Sequence, residues 1–119
     1  MRYMLLIFTN PENWAVLSEA ETGAMYGEYA AFTQRIVDSG EFVSGDPLQG
    51  PETATTVRVR AGARSSTDGP FVETKEHLAG YYVVECASLD RALELAAEIP
   101  DAKFSGIEVR PLADMTMPS

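Results

Sequence analysis

The 119-residue chain has one cysteine, one histidine and only nine lysines and arginines, against eighteen aspartates and glutamates. Each shortage closes off some chemistry. Cys86 has no partner for a disulfide within the chain, and its place in an apolar run reads as a buried, inert thiol. Such cysteine usage fits a reducing compartment. One Cys and one His give no metal-ligand cluster at a recognised spacing, and no carboxylate pattern marks a magnesium site, so no metal is expected. The scarcity of cations leaves a formal net charge of −9 and a pI of 4.4. Such a surface repels phosphate backbones and anionic lipid, which makes nucleic acid and membranes poor partners; a local basic patch would form around Arg58, Arg60 and Arg64. No segment approaches the roughly 20 apolar residues that span a bilayer. The run Tyr3–Phe8 is too short for a signal-peptide core, and Asn10-Pro11-Glu12 interrupts it. A soluble, cytoplasmic protein is expected. No glycine-rich loop sits between a strand and a helix, and no serine sits on a strand-to-helix elbow. Neither a phosphate cradle nor a serine hydrolase is indicated, and no cofactor is expected.

What is present amounts to one domain, 1–119, with 45% hydrophobic residues to build a single core. Tyr3–Phe8 is apolar on both parities (Tyr3, Leu5, Ile7 and Met4, Leu6, Phe8), the mark of a strand covered on both faces. Ser18-Glu-Ala-Glu21 predicts a capping box, and a helix should run from there to Ser39, where Gly40 stops it. Met25, Tyr29, Phe32 and Ile36 form its apolar stripe. Glu41–Ser44 reads as a short strand and residues 55–68 as a hairpin turning at Ala61-Gly-Ala-Arg64. Gly80–Ala87 reads as a second apolar strand. Ser88 caps a second helix with Leu89, Ala92, Leu93 and Ala96 on its inner face, and Gly106–Arg110 is a last strand. The tail, 111–119, reads as loose or as a dimer arm.

The order β-α-β-hairpin-β-α-β predicts an α+β fold: a ferredoxin-like βαββαβ sheet with an inserted β-hairpin. Both helices then lie on one face. The other face of the central strands keeps apolar side chains that a monomer rarely exposes, which predicts a homodimer packed sheet against sheet as a dimeric α/β-barrel.

Three groups of residues are candidates for chemistry. The first is the charged loop with Asp68, Glu73, Lys75, Glu76 and His77, either an acid–base site or a solvated loop of weak ion pairs. The roles of Lys75, Glu76 and His77 stay open, with His77 expected as an exposed bystander and Asp68 and Glu73 beside the cleft. The second is Tyr29, whose hydroxyl would enter the core and need a partner, with Asp46 able to supply it. The third is the charged positions within strands, Arg58, Arg60, Glu85, Glu108 and Arg110. These read as structural ion pairs before they read as a cavity lining. In Asp68-Gly69-Pro70 the proline fixes its own φ and pushes Gly69 to extended geometry, with Phe71 anchoring the loop.

Thr67-Asp-Gly-Pro-Phe-Val-Glu-Thr-Lys-Glu76, followed by Leu78-Ala-Gly-Tyr-Tyr82, resembles the signature of the DGPF-motif proteins of the YCII-related family. Further matches are Met1-Arg-Tyr-Met-Leu-Leu-Ile7, Ala31-Phe-Thr33, Thr53-Ala-Thr-Thr-Val-Arg-Val-Arg60 and Glu108-Val-Arg-Pro111. The resemblance implies a dimeric α/β-barrel, mostly of unknown function, and for bacterial members a link to extracytoplasmic-function sigma factors. In related proteins a His–Asp pair in a cleft is the proposed catalytic device. Here Tyr29 stands where many relatives have the histidine, with Asp46 as the acid. A Tyr–Asp pair orients a ligand but shuttles protons poorly near neutral pH. The leading expectation is a small-molecule-binding homodimer with ligand contacts from Tyr29, Asp46, Asp68, Phe71 and Glu73. The alternatives are an accessory regulator that binds a sigma factor, and a cofactor-independent enzyme with a weakened acid–base pair in which Tyr29 and Asp46 are the catalytic candidates.

Overall fold

The computed structural model describes residues 1–113. Strand β1 spans Arg2–Thr9, and a short helix α1, Pro11–Ala15, follows at once, its first turn capped by Asn10. Helix α2 spans Glu19–Asp38 and opens on the predicted capping box: the Ser18 hydroxyl accepts from the Glu21 N–H and Glu21 accepts from the Ser18 N–H. It ends at Gly40, whose φ of +80° suits only glycine without strain. Strand β2 (Phe42–Pro47) runs three residues further than expected, taking in Gly45 and Asp46. The hairpin follows as β3 (Thr55–Arg60) and β4 (Ala63–Asp68), then β5 (His77–Glu85), α3 (Leu89–Glu98) and β6 (Gly106–Pro111).

The main sheet is antiparallel in the order β2-β5-β1-β6, the ferredoxin-like arrangement, while β3 and β4 pair only with each other. The core lies between one face of the sheet and the helices. Tyr3, Leu5, Tyr82 and Val84 from the strands meet Phe32 and Ile36 of α2 and Ala92, Leu95 and Ala96 of α3. The inner stripe of α3 differs from the expected one. Leu89 and Leu93 are each 48% exposed, and Leu95 and Ile99 take the interior. Both sets repeat at helical spacing, and the sheet selects the one that also carries Ile99 into the core.

The register puts Met4, Leu6, Phe8, Tyr81 and Val83 on the opposite face, which no helix covers. Only Val83 among them is buried. The tail begins more firmly than expected: Pro111 pairs with Tyr3 and the Leu112 N–H donates to the Arg2 carbonyl. The rest of that expectation, from residue 114, lies outside the described residues. No helix among the described residues is long and apolar enough to cross a membrane.

Gly69 corrects the expected geometry of the DGP turn. Its φ is +106°, on the side closed to L-residues, and not extended. Its N–H donates to the Ala54 carbonyl at 2.8 Å, and its carbonyl accepts from the Thr56 hydroxyl at 2.7 Å. The Asp68-Gly69-Pro70 turn thus locks the base of the hairpin.

Candidate functional site

A cavity of about 700 Å³ opens at the end of the sheet, between α1, α2 and the segment that follows β2. Two glycines shape the strands beside it. A Cβ on Gly45 would lie 2.8 Å from the Tyr82 ring, and one on Gly80 would lie 3.0 Å from the Asp46 carbonyl oxygen. Larger residues there would push β2 away from β5. The walls are aromatic: Trp14, Tyr26, Tyr29 and Tyr82 all line the space. Trp14 packs tilted on Tyr26 and roughly parallel to Tyr29, with ring centroids 5.3 and 6.4 Å apart.

The centre of the site is Asp101, only 3% exposed. It sits in the helical turn Pro100–Lys103 that follows α3. A carboxylate taken out of water needs donors, and three converge on it from three elements. Thr9 at the end of β1 donates its hydroxyl to Oδ1 at 3.1 Å, Trp14 of α1 donates Nε1–H to the same oxygen at 2.9 Å, and Tyr29 of α2 donates its hydroxyl to Oδ2. A carboxylate has about four acceptor positions, so one remains on the Tyr29 side for a ligand donor. Burial first, and the Asp101 hydrogen bond second, hold the Tyr29 phenol protonated far above its ordinary range. Tyr29 is therefore a donor near neutral pH and not a base.

A second polar pair follows from proton accounting. The Thr33 hydroxyl donates to the Tyr29 carbonyl at 2.9 Å and lies 2.6 Å from the Tyr82 hydroxyl. With its one proton engaged, Thr33 accepts from Tyr82. Near the rim, Tyr81 donates to Asp46 Oδ2 at 2.8 Å, and this bond raises the Tyr81 phenol.

The expected Tyr29–Asp46 pair is therefore replaced by Tyr29–Asp101 and Tyr81–Asp46. Tyr29 and Asp46 still line one cavity, but Asp46 lies on the exposed edge of the sheet. Asp68, Phe71 and Glu73 do not line it; they belong to the hairpin end and the exposed loop beyond it. His77, expected as a bystander, opens β5 opposite Thr9 and does line the cavity. Of the strand charges, Glu85, Glu108 and Arg110 form exposed ion pairs, Arg2–Glu85 at 4.0 Å and Arg110–Glu108 at 3.7 Å, whereas Arg58 stacks on Phe71 and Arg60 has no carboxylate within reach among the described residues. Asp101, Trp14, Thr33 and Tyr82 escaped the sequence reading. The one available signal was the tryptophan just before α2, whose N–H needs a partner once packed. Among the described residues no group of three His, Cys, Asp or Glu could hold a metal ion.

Fold and cavity together define a small ferredoxin-like domain with a pocket at the end of its sheet and a buried acid within it. The chain belongs to the YCII-related domain family, whose pattern matches residues 1–116. An uncharacterized protein from Rhizobium meliloti is 36% identical over 115 residues, covering 95% of this chain and 93% of the relative. Among solved structures, 5-chloro-2-hydroxyhydroquinone dehydrochlorinase from Burkholderia phenoliruptrix, in complex with 2,5-dihydroxybenzoquinone, is similar in fold. The TM-score is 0.59 at 14% identity, over 98% of this chain and 97% of that one.

Proposed function

We propose that this chain is a small-molecule-binding protein that works as a homodimer and takes compact, hydroxylated ring compounds in the cavity around Asp101. The observation that carries this reading is the buried carboxylate, fixed by Thr9, Trp14 and Tyr29, within a pocket of aromatic walls. Flat aromatic surfaces take a planar ring, and the remaining acceptor position of Asp101 takes one of its hydroxyl protons. The fold neighbour solved with 2,5-dihydroxybenzoquinone supports the choice of ligand class. The homodimer is supported by the uncovered apolar face of Met4, Leu6, Phe8 and Tyr81, in a molecule only 18 Å thick.

Thermal denaturation against hydroquinone, catechol and their ring-carboxylated analogues tests the reading. The uncarboxylated diols should raise the melting temperature; at 100 times Kd a one-site ligand adds about 2.7 kcal/mol. Asp101→Asn should abolish the rise, and the carboxylated analogues should give little. Equal melting temperatures with and without every diol would overturn the ligand class. A sedimenting mass of one chain would overturn the dimer.

A further inference from the structure

The β3–β4 hairpin is not explained by its own protomer. Every residue of β4 is exposed, and Val57 and Val59 of β3 are 58% and 59% exposed on one face. A two-stranded ribbon with both faces in water is marginally stable at best. This one projects from the body. The radius of gyration is 16.7 Å, against about 13–14 Å for a compact chain of this length.

Charge separates the hairpin from the rest of the molecule. Among the described residues, Arg2, Arg35, Arg91, Lys103 and Arg110 each stand within 4.0 Å of a carboxylate. The remaining cations, Arg58, Arg60, Arg64 and Lys75, all lie in the hairpin and the loop after it, without such a partner. Arg58 instead stacks over the ring of Phe71, 5.3 Å from its centroid. The cavity rim is the complement. Asp46 and Glu52 are exposed there, Leu48 is 48% exposed beside them, and no lysine or arginine lines the space.

We propose that the hairpin acts in trans: in the dimer it lies across the cavity mouth of the second copy, with Val57 and Val59 over Leu48, Arg64 on the same face against Asp46 and Glu52, and Arg58 and Arg60 adding positive charge from the other face. Arm and mouth are neighbours in the chain, since Pro51 and Glu52 line the cavity and β3 starts at Thr55. A two-fold axis beside them therefore pairs arm with mouth twice, as a self-complementary contact requires. Each ligand site is then closed by the other protomer, and the DGPF segment, with Phe71 under Arg58, stiffens the arm that closes it. This inference rests on the dimer reading above.

The sole tryptophan, Trp14, lines the cavity and reports on its closure without any ligand. Its quenching by acrylamide, which is uncharged, is measured in four samples: wild type; wild type in high salt; an Arg58→Gln, Arg60→Gln, Arg64→Gln triple variant; and a heterodimer, isolated with two affinity tags, of that triple variant with a Trp14→Phe chain. These arginines lie on the exposed hairpin, so the variant should keep its fold, which circular dichroism checks. Quenching should increase in high salt and in the triple variant. It should return to the wild-type level in the heterodimer, where the intact arm of the tryptophan-free chain covers the only tryptophan. A wild-type dimer whose quenching is unchanged in the triple variant, or a heterodimer quenched like the triple variant, overturns the trans placement and leaves the dimer standing. A wild-type monomer by sedimentation overturns both.

Discussion

Asp101 shows how one side chain organises a site. Its carboxylate is buried, and each donor that reaches it is fixed in turn: Trp14 by ring contacts, Tyr29 by its helix, Thr9 by the strand. Truncating such a hub leaves three oriented donors without the acceptor they share. Asp101→Ala should cost about 3 kcal/mol of stability, since charged hydrogen bonds and stranded buried partners each contribute at the 1–3 kcal/mol level. Tyr29→Phe removes one donor and should cost about 1 kcal/mol while weakening ligand binding more than folding. Urea denaturation of the two variants checks the order. Equal losses would mean that Tyr29 and not the carboxylate holds the site together.

A second residue-scale effect depends on pH. Glu41 has a side chain only 15% exposed and accepts from Arg91 Nε and Nη2, both at 2.9 Å. The Arg91 bonds, and more weakly Ser39, hold its carboxyl below the ordinary 4.5 against the opposing effect of burial. A lowered folded-state value means that the contribution is fully present above pH 4.5 and is lost as the pH falls through the folded-state value. Melting temperature against pH should therefore decline below about pH 4.5, and Glu41→Gln should flatten part of that decline. An identical acid limb in the variant would remove Glu41 as a cause.

At the scale of elements, the hairpin turn carries a correctable strain. Ala61 and Gly62, the two residues between Arg60 and Ala63, have φ of +50° and +79°. Both positive angles match a type I′ turn, for which Asn-Gly is the favoured pair. Ala61→Asn should stabilise the fold by about 0.5 kcal/mol, because asparagine tolerates the left-handed region better than alanine. Gly69→Ala should destabilise it by about 1 kcal/mol or more, since a Cβ is forced into a positive φ. Chemical denaturation of both variants reads the two opposite signs; a neutral Gly69→Ala would mean that the hairpin base is free to rearrange.

The elements were the most legible part of the sequence because their causes are local. The capping box at Ser18 and Glu21, the stop at Gly40 and the double-faced apolarity of Tyr3–Phe8 all act within a few residues. The site was much less legible for the converse reason. Tyr29 announces that it needs a partner, but Asp46 and Asp101 are equally acidic on paper, and only the packing of α2 beside the turn after α3 chooses between them. The inner stripe of α3 was half legible for the same reason: Ala92 and Ala96 reach the core as expected, but Leu95 and Ile99 take the places expected of Leu89 and Leu93, and tertiary contact decided between the two flanks.

The whole molecule is a slab 18 Å thick, with helices on one side and an uncovered sheet on the other. Its acidity is unevenly placed, because among the described residues the body pairs its own cations and the projecting hairpin does not. These two properties are the ones the proposed dimer would answer: a second copy would cover the sheet and receive the arm.

The hub at Asp101 also sets an order of events in the life of the chain. Its donors precede it by 92, 87 and 72 residues. During synthesis, Thr9, Trp14 and Tyr29 emerge long before the acid they serve, and bringing them together closes long loops. A ribosome-bound or prematurely ended chain can hold β1 and α2 and still have no pocket. The proposed binding is therefore acquired only once the turn that carries Asp101 has docked on β1, α1 and α2, which makes ligand capture a sensitive measure of how many molecules have finished folding.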